Sequence, residues 1–376
     1  MTTGTAQAVA FLLEQCLAPV PGGTGRYSKE IAAALARSQP HRRVVGWTAM
    51  HRQRQAAAVD GVLGPRALPL PRRALIAAWD AGIGPTPGRV DLVHAPTLLA
   101  PPRRGTPLVV TIHDAVPWTH PQTLTARGAA WHRRVGERVA READAIVVPT
   151  QAVADELSEF LDIAARIHVV GLGVSSDLDL PDDHERRAAD LQLPPEYLIS
   201  VATLEPRKGL DVLIAALAHP SAPRIPLLIV GQRGWGGIDL ASLVQAAKLP
   251  ADQVRELGRI GDADLAVVLD RAAALVMPSR SEGFGIPLLE AFAAGTPVIH
   301  SDAPALVEVA GGAGLLVARE HPRLLAEAIR GLIEDPSAQR RLRARGLVRA
   351  ADFSWDESAA RLWQLYDEVV ATAARR

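Results

Sequence analysis

Two carboxylates, Glu282 and Glu290, bracket the run Gly283-Phe284-Gly285-Ile286, which leads into the apolar stretch 287–294. Glycines at 283 and 285 let backbone N–H groups come close to a ligand, Pro287 suits a first helical turn, and Gly295 suits its end. A helix that starts here points N–H donors at an anion. Carboxylates beside such a site repel a phosphate but accept hydrogen bonds from hydroxyls, so the pattern suits a phosphate flanked by sugars. Taken alone, it equally describes a helix start whose Glu282 favours the dipole. A second motif, Thr203-Leu-Glu-Pro-Arg-Lys-Gly-Leu-Asp211, sets Arg207 and Lys208 side by side between a strand-like run and an apolar helical run at 210–218. Arginine grips phosphate oxygens through its fork and lysine acts as a point charge, so the pair suits a diphosphate. Pairing with Glu205, or covering a helix terminus, would use the same residues.

The elements that must position these motifs follow from the apolar pattern. Short apolar runs at 9–13, 44–47, 92–94, 108–112, 145–148 and 167–170 alternate with helical patterns, and predict six buried parallel strands. After a charged stretch at 178–191 and Pro194-Pro195, the alternation restarts at 198–201, 227–230, 254–257, 274–277, 298–300 and 315–317. The plan is α/β: two doubly wound, Rossmann-like domains, whose ligands bind beyond the carboxyl ends of the strands. The expected bounds are 1–185 and 186–355, with a last helix at about 356–376, capped by Ser354, packing back on the first domain. A length of 376 residues fits two cores.

The charges balance at 41 basic and 41 acidic, but residues 1–110 hold 13 of the first and 5 of the second. That basic part could meet an anionic acceptor or a membrane surface, and solvated loops would account for it as well. Cys16 is the only cysteine, which excludes an internal disulfide and a cysteine metal cluster. No 18-residue apolar run or signal-peptide pattern is present, so the expected location is cytoplasmic, with peripheral membrane contact through the basic domain left open. Aromatics at 4% and not interleaved with basic residues argue against nucleic acid.

Glu-Pro-Arg-Lys-Gly at 205–209 followed by Glu-Gly-Phe-Gly-Ile-Pro-Leu-Leu-Glu at 282–290 resembles the family-4 retaining glycosyltransferases of the GT-B fold, especially bacterial GDP-mannose-dependent members. The loop Pro-Gly-Gly-Thr-Gly-Arg-Tyr at 21–27, the segment Thr-Ile-His-Asp-Ala-Val-Pro at 111–117 and Pro149-Thr150-Gln151 are similar too. The resemblance implies two domains facing each other across a cleft, acceptor side first and donor side second. It implies that Arg207 and Lys208 neutralise the donor diphosphate, supported by the N–H groups of Gly283, Phe284, Gly285 and Ile286. Glu282 would hold hexose hydroxyls, Glu290 the ribose, and His113 would face the donor sugar. Gly22, Gly23 and Gly25 would bring backbone close to phosphates or acceptor, and Arg259 and Ile260 would border the base. Many relatives carry a further arginine where Ala202 or Thr203 stands here, which leaves Arg207 as the source of any bidentate contact.

By the same resemblance the donor is a nucleotide sugar, GDP-mannose favoured over UDP-hexoses, and the acceptor is a glycan or glycolipid. No cofactor and no divalent metal is expected, because cations and helix N–H groups can stabilise the departing phosphate. Asp262 and Asp264 are expected to cap the helix that follows them rather than to hold a metal. A non-catalytic nucleotide-sugar sensor is the rival of another class, and the presence of Lys208, Glu282 and Glu290 counts against it. Neither the oligomeric state nor the group that deprotonates the acceptor is legible.

Overall fold

The computed structural model describes residues 5–163, 166–175 and 178–375. The chain forms two α/β units, one made of residues up to 119, 126–173 and 354 onward, the other of 120–125 and 174–353. The first holds a parallel sheet of β1 (Ala8–Leu12), β2 (Arg43–Thr48), β3 (Leu63–Ala67), β4 (Leu92–Ala95), β5 (Leu108–Thr111), β6 (Ala145–Val148) and β7 (Ile167–Val169), in spatial order β3-β2-β1-β4-β5-β6-β7. The second holds β8 (Leu198–Val201), β9 (Leu227–Val230), β10 (Val254–Gly258), β11 (Ala274–Met277), β12 (Val298–Ser301) and β13 (Leu315–Val317), also parallel, in order β10-β9-β8-β11-β12-β13. In each sheet the strand order reverses between the first and fourth strands, at β1/β4 and at β8/β11, and the exit loops of those strands border the crevice where such sheets take ligands.

The central strands are buried along their whole length, as their unbroken apolar runs predict. The first sheet has seven strands rather than the expected six. The additional one, β3, reads Leu-Gly-Pro-Arg-Ala and lies at the sheet edge with only Pro65 buried. An edge strand tolerates proline and needs no apolar face, so it carries no hydrophobic signature.

The first unit closes with the last helix of the chain. Ser354 caps that helix, Trp355–Ala373, by accepting from the N–H groups of Asp356 and Glu357. Its buried Trp363 and Tyr366 meet the helix Gly22–Ser38, where the Trp363 indole N–H donates to Leu35 O at 3.1 Å. Arg42 lies over the Trp363 ring and holds Asp367 through two hydrogen bonds of 3.0 Å. Deeper in, His94 on β4 bridges the Tyr366 hydroxyl (2.5 Å) and the Thr111 hydroxyl (2.8 Å), and burial pushes its pKa down to about 3.

The chain passes into the second unit at 173/174, earlier than the expected 185. The helix His184–Asp190 packs on the helix Asp262–Asp270, with Arg187 donating to Asp264 at 2.7 Å and Arg271 paired with Glu185. Asp262 and Asp264 sit inside the first turn of their helix, and Gly261 is the N-cap, without a side-chain cap bond. The expected capping role therefore becomes a favourable charge near the helix N-terminus, joined at Asp264 by an ion pair. Among the described residues no helix is long and apolar enough to cross a membrane.

Candidate active site

β8 runs out into the short helical turn Pro206–Lys208, and Gly209 joins it to the helix Leu210–Leu217. Gly209 has φ +66°, and a Cβ there would lie 2.2 Å from the carbonyl oxygen of Pro278, just past β11. Only glycine permits so close an approach of the two exit loops. Arg280 completes the seam: its backbone N–H donates to Arg207 O at 2.7 Å, and its guanidinium donates to Pro206 O at 2.6 Å and forks onto Asp211 at 2.9 and 2.7 Å. Ser301, at the end of β12, donates to Ser279 O at 2.6 Å.

This seam brings Arg207, Lys208 and Glu282 into one cluster. Lys208 Nζ stands 2.6 Å from Glu282 Oε1, Arg207 Nη1 stands 3.1 Å from Glu282 Oε2, and the Ser279 hydroxyl donates to Oε1 at 2.8 Å. On its other side the Arg207 Nε lies 2.7 Å from Glu205 Oε1. Glu282 is 7% exposed and Glu205 1%, so these charges meet away from bulk water. Burial alone would raise the Glu282 pKa, but the charges of Lys208 and Arg207 and the hydrogen bonds to Lys208 and Ser279 outweigh it and hold the carboxyl at about 2. The arginine fork that sequence reasoning offered to a diphosphate is thus spread over two carboxylates of the protein itself. Lys208 is also engaged, with the carboxylate expected to hold sugar hydroxyls.

Past Glu282 the chain turns through Gly283 and Phe284 to Gly285, whose φ is +94° and whose Cβ position would lie 2.4 Å from Leu306 Cδ2. The helix Ile286–Ala293 follows, with Pro287 in its first turn. Pro287 has no N–H, and the Leu288 N–H donates to Gly285 O at 2.9 Å. The run from Gly283 to Ile286 is therefore the source of backbone donors at this helix start. Phe284 is buried edge-on against Phe353, with ring centroids 5.6 Å apart. Glu290 lies little more than one turn inside this helix and is 5% exposed. Arg259 is exposed and Ile260 partly buried in the loop between β10 and the next helix.

The remaining candidates belong to the first unit. The segment 21–27 is not a loop: the helix Gly22–Ser38 starts within it, so Gly23 and Gly25 occupy its first turn. Gly22 and Gly23 are exposed, whereas Gly25 is buried where a Cβ would meet Pro21 Cβ at 2.5 Å. His113 follows β5, and its Nε2 lies 2.7 Å from Pro96 O, just after β4. A carbonyl only accepts, so Nε2 carries the proton and Nδ1 keeps its lone pair. The ring stands edge-on to Tyr27, centroids 4.7 Å apart, and burial lowers its pKa against the opposing effects of Pro96 O and Asp114. Asp114 itself accepts from the Val116 N–H at 3.2 Å. His113 is thus a neutral imidazole with an acceptor nitrogen.

Sequence reasoning named neither Ser279 nor Arg280 as organisers of the cluster. The signal available was their position between the end of β11 and Glu282.

Two family models match the chain, "Glycosyltransferase Family 4" over residues 21–178 and "Glycosyl transferases group 1" over residues 182–348. The chain is 33% identical over 326 residues to D-inositol 3-phosphate glycosyltransferase 1 of Catenulispora acidiphila, covering 80% of this chain and 77% of that protein. It is 30% identical over 310 residues to the MMP alpha-(1->4)-mannosyltransferase of Mycolicibacterium hassiacum, with 76% and 72% covered. Among solved structures, the sucrose-phosphate synthase of Thermosynechococcus elongatus superposes with a TM-score of 0.76 at 24% identity, covering 97% of this chain and 100% of that one. HepE of Anabaena in complex with UDP and glucose gives 0.74 at 20% identity, covering 96% and 99%. At these identities the structural likeness carries the fold.

Proposed function

The chain belongs to the family-4 glycosyltransferases of the GT-B fold, and from that premise we propose that it transfers a hexosyl group, with retention, from a nucleotide sugar to a hydroxyl of a glycan or glycolipid, with GDP-mannose as donor. One observation carries the reading: Arg207, Lys208 and Glu282 converge from the exit loops of β8 and β11, the neighbours at which the strand order reverses. Donor binding is then an exchange of partners. The diphosphate takes Lys208, and part of the Arg207 fork, from Glu282, and the released carboxylate accepts hydrogen bonds from hexose hydroxyls. A pair of unit charges 4 Å apart is worth about 4 kcal/mol at an effective dielectric of 20, so the exchange replaces one strong interaction with another of similar size.

In the transfer step the bond from the anomeric carbon to the diphosphate oxygen breaks and the leaving group keeps the electron pair. The acceptor oxygen bonds to that carbon, and its proton passes to the departing phosphate. Cations and N–H donors aimed at the growing charge lower this barrier. Neutral His113, with its lone pair on Nδ1, is suited to accept a hydrogen bond from a sugar hydroxyl. The mannosyl reading is supported by relatives whose names specify mannosyl transfer, the MMP enzyme and O-antigen chain mannosyltransferase B of Escherichia coli, the second 35% identical over 173 residues, 45% of each chain.

The test is release of nucleoside diphosphate from a panel of GDP- and UDP-hexoses, with and without EDTA, in the presence of mannosides. GDP-mannose is expected to be the best donor, with most of the activity kept in EDTA. A strong preference for a UDP-hexose would overturn the mannosyl assignment, and a complete loss reversed by magnesium would overturn the metal-free step. If Glu290 holds the ribose, Glu290→Gln should raise the donor KM about tenfold and leave kcat within about twofold, since that contact exists in ground and transition states alike.

A further inference from the structure

The carboxyl ends of β12 and β13 border a cavity of about 600 Å³ whose walls all belong to the second unit. Its size is that of a small-molecule site. Its wall mixes polar and apolar surface in about equal parts, as a sugar ring does: Pro206 and Ala318 line it beside His120, Gln122, Arg280, Asp302, Arg319 and Glu320, whose side chains can donate or accept.

The charges there cancel. Arg280 is gripped by Asp211 and, at 2.9 Å, by Glu320. Arg319 donates from Nε and from its backbone N–H to Asp302 Oδ1 at 2.7 and 3.0 Å, and from Nη1 to Arg280 O at 3.0 Å. Burial, with the nearby charges of Arg319 and Arg280, lowers the His120 pKa despite Glu320, so this ring is neutral near pH 7. Each of the two arginines already has a carboxylate partner, so an anion entering here meets no unbalanced positive charge. An acyl chain would strand these polar groups without partners. A neutral polyol needs no such charge and leaves those groups partnered, and it meets guanidinium and carboxylate groups already held in fixed planes.

The cavity's position says which polyol. Pro206 and Arg280 line it, and the next residues along the same two loops, Arg207 on one side and Ser281-Glu282 on the other, belong to the cluster described above. Along the sheet edge, Arg259 follows β10, the cations follow β8, and the cavity lies beyond β11 at β12 and β13. A ligand laid along this edge passes from base to diphosphate to a further sugar.

We propose that this cavity, although it belongs to the second unit and not to the first, which the resemblance makes the acceptor side, is a saccharide subsite that holds a neutral sugar ring of the acceptor, so that the acceptor is an oligosaccharide rather than a single sugar or a lipid head group. The inference rests on the glycosyl-transfer reading and names the substrate class for it. The probes are methyl α-D-mannopyranoside and the corresponding mannobioside and mannotrioside, used with GDP-mannose and full-length protein. The wild type should show a kcat/KM about tenfold or more higher for the trioside than for the monoside, the worth of one or two hydrogen bonds. Ala318→Trp, which fills the cavity, should bring that ratio to within about twofold of one. Gln122→Ala, a smaller change within the single 3-10 turn Pro121–Thr123, should lower the ratio several-fold and serves if the tryptophan variant fails to fold. Calorimetry with the trioside alone separates the two readings. Binding that Ala318→Trp abolishes, without transfer from any donor, would support the subsite and overturn the transferase. Transfer with the same length dependence in wild type and variants would overturn the subsite and leave the transferase standing. Competition by inorganic phosphate against trioside binding would overturn the neutral-sugar assignment.

Discussion

Replacing Lys208 by alanine is expected to lower turnover by two to three orders of magnitude at saturating donor. Removal of one preorganised group facing transition-state charge typically costs about 2.7–4 kcal/mol. The structure adds a second effect. Lys208 is also the 2.6 Å partner of Glu282, so its removal leaves that carboxylate with Arg207 and Ser279 alone. Some loss of stability is therefore expected beside the loss of rate, and the denaturation midpoint must be measured on the same sample. Lys208→Arg, which keeps the charge and changes its reach, should recover stability more fully than turnover. A folded alanine variant that keeps half the wild-type rate would remove Lys208 from the diphosphate.

Glu282→Gln is expected to cut transfer by about a hundredfold or more while GDP binds at least as tightly as before. In the exchange of partners proposed above, Glu282 competes with the diphosphate for Lys208 and Arg207 and then holds the hexose. A neutral amide gives up the first role and fills the second poorly. Calorimetry with GDP on this variant and on Glu290→Gln checks the division: a larger loss of affinity at 282 than at 290 would reverse it.

The same variant carries a pH signature. The folded-state pKa of Glu282, about 2, lies below its ordinary value of 4.5. Its contribution to stability is therefore complete above about pH 5 and is lost as the pH falls from there toward 2. At neutral pH, breaking a buried pair of this kind costs about 3–5 kcal/mol, because the partner charges remain buried. Denaturation profiles of wild type and Glu282→Gln should therefore converge as the pH falls from 5 toward 2. Parallel profiles across that range would show that the carboxyl is not held by the two cations.

Most of both sheets was legible in the sequence, because a parallel strand covered on both faces must be apolar along its whole length. Runs such as 145–148, 198–201 and 274–277 coincide with the observed strands. β3 was not legible, since Gly64-Pro65 at a sheet edge obeys no such rule. The helix start at Gly22 was masked by three glycines, which read as loop until a neighbouring surface, here Pro21 against Gly25, explains one of them. The residue types of the candidate site were legible, and their partners were not. Nothing local ties Lys208 to Glu282, 74 residues on; the contact exists because Gly209 lets one loop lie on Pro278 of the other. Asp264 shows the same limit, since its Arg187 partner lies 77 residues earlier in the chain.

The return of the last helix to the first unit has a consequence for biosynthesis. Trp363 and Tyr366 fill the space beside Leu35 and His94, so the core of the first unit is incomplete until the end of the chain is made. The polypeptide between residues 173 and 354 is synthesised in the interval, which at 5–20 residues per second takes about 10–40 s. Throughout that time the first unit lacks the cover for the apolar face of the helix Gly22–Ser38, and at its end the second unit holds all its chain while the closing helix of the first is still to be made. The unit encoded second is thus the one that can finish folding first.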